Sequence, residues 1–110
     1  MKQEMPSKVQ QALKKLKREL IRIYGEQVDS IILYGSQARG DAREDSDIDV
    51  LLVLRDEFDY LEMLKRSDDQ AASLSLDNDA VISRAFVSKA EYQKRNSPFL
   101  INIRRDGVTV

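Results

Sequence analysis

Residues 31–54 read IILYGSQARGDAREDSDIDVLLVL, and this stretch decides the fold. It holds two apolar runs, Ile31 to Leu33 and Val50 to Leu54, each short enough to be a buried strand. Val28 to Tyr34 is the first predicted strand and Asp47 to Leu54 the second. Gly35-Ser36 breaks the first strand and can open a short helix through Arg39; the polar segment from Gly40 to Ser46 reads as a loop. Glycine lets the backbone come close to a ligand, and the amides and hydroxyl of a serine-headed turn suit an anionic phosphate. Taken alone, a Gly-Ser pair after a strand is more often just a turn with a serine cap.

Asp47 and Asp49 are two apart at the mouth of the second strand. Residues i and i+2 of a strand point to one side, so the two carboxylates project together while Ile48 faces the other way. Like charges held side by side repel unless a cation lies between them. A solvated strand end is the plain alternative. If the two strands are neighbours, however, the Ser36 turn and both carboxylates meet at one sheet edge. That combination suits a metal-bound triphosphate, since Mg²⁺ is commonly held by one or two carboxylates plus substrate phosphates.

Outward from this stretch, Val9, Leu13, Leu16, Leu20 and Ile23 recur at helical spacing. They predict a helix from a Ser7 cap to about Tyr24, with Gly25 ending it. Phe58, Leu61, Leu64, Ala71, Ala72, Leu74 and Leu76 suggest a second long helix ending near Asp77. Ala80 to Val87 is a third strand. Ser88 and Glu91 form a capping box for a helix starting at Lys89. Ser97-Pro98 opens a last helix to Asp106, which Gly107 ends. The order α-β-α-β-α-β-α-α predicts an α+β fold: one domain over residues 1–110, with a small mixed sheet flanked by helices.

Composition narrows the chemistry. The 110 residues are 42% hydrophobic and 34% charged, and they include no cysteine and no histidine. Thiol nucleophiles, imidazole bases and sulfur- or imidazole-ligated zinc are thereby excluded. A metal must be held by oxygen, which favours Mg²⁺ or Mn²⁺. Net charge is -1, but residues 41–59 carry eight Asp/Glu against two Arg, between flanks richer in Lys/Arg. The polar N-terminus has no signal-peptide core and no apolar run approaches a membrane span, so a cytoplasmic location is expected.

Gly35-Ser36, ten intervening residues and Asp47-Ile48-Asp49 resemble the G-S-x10-D-x-D signature of the DNA polymerase β-like nucleotidyltransferase superfamily. With Tyr34, Ala38-Arg39-Gly40, Ala42 and Ser46, the stretch is most similar to its minimal nucleotidyltransferase (MNT) branch. The resemblance implies ATP or another nucleoside triphosphate with Mg²⁺ (or Mn²⁺). By it, Gly35 and Ser36 would hold the β- and γ-phosphates and Asp47 and Asp49 the metals. Arg39 would neutralise phosphate charge, unless it pairs with Asp41, Glu44 or Asp45. The family has a third carboxylate on the next core strand. Here Asp79, at the entrance of that strand, is the candidate; if the position is instead Ser83, the carboxylate is missing.

The resemblance also implies a partner. MNT proteins pair with HEPN-domain toxins and act as antitoxins, adding AMP to a tyrosine of the toxin. The expected function is therefore transfer of a nucleotide to a hydroxyl of a HEPN-type partner, with no membrane. Only 6% of residues are aromatic, which argues against stacking platforms and a nucleic-acid acceptor. Three other readings stand beside it: a catalytically weak MNT module that neutralises its partner by binding, a small-molecule (antibiotic-type) nucleotidyltransferase, and an unrelated D-x-D enzyme. The last places its D-x-D after the apolar strand, whereas here the apolar run follows the acids.

Overall fold

The computed structural model describes residues 7–40 and 47–110. In chain order they form α1 (Ser7–Tyr24), a 3-10 turn (Gly25–Gln27), β1 (Val28–Tyr34), α2 (Ser36–Arg39), β2 (Ile48–Leu54), α3 (Tyr60–Asp77), β3 (Ile82–Ser88), α4 (Lys89–Lys94), α5 (Pro98–Asp106) and β4 (Val108–Thr109). The strands make one mixed sheet in the order β3-β2-β1-β4. β1 runs antiparallel to both β2 and β4, whereas β2 and β3 are parallel, joined by the α3 crossover. Among the described residues no helix is long and apolar enough to cross a membrane.

β2 is central and packed on both faces, which is why it reads as a continuous apolar run instead of an alternating one. Ile48, Val50, Leu52 and Leu54 join Ile31, Leu33 and the inner faces of α1 and α3 in the larger core. Leu51 and Val53 join Ile32, Val87 and the α5 residues Leu100 and Ile103 in a smaller one. By the same alternation Asp49 belongs to the α5 face of the sheet, at the end that the smaller core leaves open.

Several boundaries fall as the sequence suggests. β1 spans the predicted residues, Ser88 and Ser97 cap α4 and α5 by accepting from the Glu91 and Leu100 amides, and α5 starts at its proline. The side chain of Ser7, expected to cap α1, lies outside the described set, as do Asp41, Ala42, Glu44, Asp45 and Ser46 of the expected loop.

Four details differ. β2 starts at Ile48 instead of Asp47, which leaves that acid just before the strand. β3 starts at Ile82 instead of Ala80, because the Ala80 amide is drawn back to the Ser75 carbonyl at 3.1 Å to close the end of α3. The buried stripe of α3 is Met63, Ser67, Ala71 and Leu74, leaving Leu61 and Leu76 exposed. Ser67 is fully buried because its hydroxyl is hydrogen-bonded to the Tyr24 hydroxyl at 2.8 Å and accepts from the Arg84 guanidinium. A hydrophobicity pattern cannot register such a partner. Finally, the chain end adds β4, whose two residues are too few to show any periodicity.

Candidate active site

β1 delivers its last residue, Tyr34, directly opposite Asp49 on β2. The chain then turns at Gly35, with φ 76° and ψ -155°, a conformation essentially reserved for glycine. This turn starts α2, and it also brings the Gly35 backbone hard against the acid: a Cβ on Gly35 would lie 2.6 Å from Asp49 Oδ2. The Gly-Ser turn and the second aspartate therefore meet at one sheet edge. Ser36 begins α2, and its carbonyl accepts the Gly40 amide at 3.1 Å.

Asp47 is exposed immediately before β2, and Asp49 is half-buried within it. Burial raises the pKa of the Asp49 carboxyl, and the neighbouring Asp47 charge raises it further. The Arg39 guanidinium and a hydrogen bond with Ser83 pull the other way. Asp47 is thus close enough to oppose the ionisation of Asp49, a conflict that a cation between them would relieve. Their oxygens fit a hard divalent ion. Among the described residues no group of three or more His, Cys, Asp or Glu is placed to hold a metal, so further ligands in this set would have to be phosphate oxygens or water.

Arg39 is exposed on α2 and acts electrostatically on two acids, Asp49 and Asp106 of α5. The alternative partners considered for it, Asp41, Glu44 and Asp45, lie outside the described residues. Tyr34 has its phenol pushed up to about 12, first by burial and then by the charge of Asp49.

The expectation for Asp79 needs correction. Its side chain is 99% exposed, stands 4.0 Å from Lys8, and sits on a turn with φ 50° outside β3. The β3 residue in register with Asp49 is Ser83, and its hydroxyl hydrogen-bonds with that carboxylate. The parallel pairing of β2 and β3 sets this register, and a strand entered three residues after Asp79 cannot bring that residue beside Asp49. The α5 residues Phe99, Asn102 and Asp106, which line a cavity with Tyr34, Gly35 and Arg39, were not legible as site residues. They are more than fifty residues from Gly35 in sequence and carry no motif.

Known proteins resemble this chain in sequence and in fold. Residues 13–104 match the nucleotidyltransferase domain family. A Methanocaldococcus jannaschii protein with the provisional name protein adenylyltransferase is 34% identical over 99 residues, covering 89% of this chain and 93% of its own. A second one from that organism, named in the same way, is 35% identical over 77 residues, 70% of this chain and 77% of its own. Among solved structures, a toxin–antitoxin crystal structure with AMP-PNP superimposes with a TM-score of 0.61 at 19% identity, covering 87% of this chain and 69% of that one. A chain from the complex of a tri-AMPylated Shewanella oneidensis HEPN toxin with an MNT antitoxin gives 0.55 at 19% identity, covering 91% and 69%. At that identity the structural matches establish the fold, and the sequence matches establish the family. This chain belongs to the nucleotidyltransferase domain family.

Proposed function

We propose that the protein transfers AMP from ATP to a hydroxyl group of a partner protein. The observation that carries this reading is the meeting of the Gly35-Ser36 turn with Asp49, beside Asp47, at one edge of the sheet. Asp47 and Asp49 would hold a divalent cation, Mg²⁺ or Mn²⁺. The Gly35-Ser36 turn would receive the β- and γ-phosphates, and Arg39 would offset their charge. The acceptor hydroxyl oxygen would attack the α-phosphorus in line and give up its proton to solvent, while the bond to the bridging oxygen breaks and pyrophosphate leaves. A bound cation would supply positive charge where negative charge builds on the phosphate oxygens. The relatives' names favour a protein as acceptor. The toxin–antitoxin neighbours favour a HEPN-domain toxin as that protein, with this chain as its antitoxin.

Ser83 favours a second reading, a domain that neutralises its partner by binding with weak transfer or none. A hydroxyl where a third carboxylate could stand leaves fewer charges to gather cations. Incubating the protein with α-labelled ATP, Mg²⁺ and a co-expressed HEPN partner separates the two. Transfer of label to the partner, lost in Asp47→Asn, is the expected result; neutralisation of the partner without any transfer would establish the binding module.

A further inference from the structure

Six of the 18 residues of α1 are basic, Lys8, Lys14, Lys15, Lys17, Arg18 and Arg22, and only Glu19 is acidic. All six cations lie on the exposed side of the helix. We propose that this face is a docking surface for a partner protein, one that meets it with a surface of carboxylates and an apolar spot among them. Neither the acid pair at the sheet edge nor a nucleotide takes part, so this docking stands apart from the transfer reading.

Most of these charges have no use within the fold. Lys8 has Asp79 at 4.0 Å and Arg22 has Glu19 at 2.6 Å. Lys14, Lys15, Lys17 and Arg18 have no ion-pair partner among the described residues. They are neighbours on the helix surface: Arg18 stands four residues from Lys14 and three from Lys15. Like charges at these spacings repel. The chain as a whole has a net charge of -1, so its positive charge is concentrated here and not spread over the surface. Carboxylates laid along the helix would turn that repulsion into attraction, and the field of the face would steer them to it.

The face is also ready formed. Val9, Ala12, Leu13, Leu16, Leu20 and Tyr24 are buried and fix α1 onto the larger core. A rigid row about 27 Å long is therefore presented without any ordering cost on this side.

Ile21 decides between a protein and a nucleic acid as the occupant. It is 46% exposed, although α1 has a full apolar stripe on its other side. Residues three, four and seven apart share a helix face, so Lys14, Lys17, Arg18 and Ile21 form one patch. An apolar side chain bordered by charges matches the apolar centre and polar rim of a protein interface. A phosphate backbone would satisfy the cations and leave Ile21 with no contact. The exposed side of α1 also carries no aromatic ring on which a base could stack.

Fluorescence anisotropy with three labelled probes tests this. The first is a helical peptide of about 20 residues with Glu on its surface and Leu at every third or fourth position. The second replaces each Glu by Gln, and the third is a single-stranded RNA of about 20 nucleotides. The whole chain should bind the acidic peptide about ten-fold more tightly than either other probe, and added salt should weaken that binding. Lys14→Glu combined with Arg18→Glu should weaken it about ten-fold or more, and Ile21→Ser about three- to five-fold without changing RNA binding. All three side chains are exposed, and melting curves like that of the wild type will show that the variants fold. RNA bound as tightly as the acidic peptide would make the face a nucleic-acid surface. Self-association of the chain, lost in the charge-reversed variant, would make the occupant a second copy. Equal binding of the Glu and Gln peptides, or of the peptide by variants and wild type, would make the face a solvated one. Each of these three results overturns the proposal and leaves the transfer reading in place.

Discussion

Asp49 works against its own fold. Burial and Asp47 raise its pKa above the ordinary 3.8, so the folded state holds this proton more tightly than the unfolded chain does. The sign follows from linkage: the contribution favours folding below the unfolded carboxyl pKa and is lost as pH rises through the raised folded value. At neutral pH the ionised carboxylate is therefore a net cost. Asp49→Asn should raise the melting temperature by a few degrees at pH 7, with the gain shrinking toward pH 4, while nucleotide transfer disappears. Thermal melts across that pH range check it, and a lower melting temperature at pH 7 would contradict it. Gly35→Ala tests the same contact from the other side. Its backbone conformation costs a non-glycine residue about 1–3 kcal/mol, and the new methyl must displace the Asp49 carboxylate. Transfer should fall below detection even in conditions where denaturant melts show the variant still folded.

At the scale of elements, the crossover helix α3 is tied to the sheet by polar atoms as well as by packing. The Tyr24 hydroxyl of α1 donates to the Met63 carbonyl and accepts from Ser67 on α3, while Arg84 of β3 donates to Ser67, to the Leu64 carbonyl at 3.2 Å and to Asp68 at 2.7 Å. Arg84 is only 10% exposed in its side chain, so its charge depends on those partners. Ser67→Ala removes a hydroxyl that is hydrogen-bonded to two elements and should cost about 1–3 kcal/mol in a urea melt. Surface changes on the same helix, such as Leu61→Gln, should stay within about 0.5 kcal/mol of the wild type. Equal effects at the two positions would mean that the buried polar cluster is not what anchors α3.

For the whole molecule, the sheet holds two cores of unequal size, with α1 and α3 on one face and α4 and α5 on the other. The open end of the second face carries the acid pair, and any ligand that binds only the folded domain must stabilise it through linkage. With Mg²⁺ and ATP at about one hundred times the dissociation constant, the gain is about 2.7 kcal/mol, a shift of several degrees for a domain of this size. A fluorescence-monitored melt should show that shift with Mg·ATP and none with Asp47→Asn. No shift in the wild type at saturating ligand would favour the binding-module reading.

How much of this was legible beforehand depends on the range of the interaction that decides each feature. β1, β2 and α1 follow from apolar runs and helical periodicity, and the caps at Ser88 and Ser97 follow from side chains that bond to amides three residues on. The two-residue repeat of a strand gave only the expectation that Asp47 and Asp49 share a side; in the structure Asp47 precedes β2, so that repeat does not fix its direction. β4 escaped because two residues have no period. The buried stripe of α3 escaped in part because Ser67 finds its partners on α1 and β3, far away in sequence.

The sequence by itself determined the two central strands, most of the helices and the spacing of the glycine-serine turn and the two acids along the chain, because each is set by residues a few positions apart. Only the tertiary structure decided that Ser83 and not Asp79 stands beside Asp49, and that α5 closes a cavity next to Gly35. Strand register and helix docking depend on how distant segments bury their faces against one another, and no local spacing records that choice.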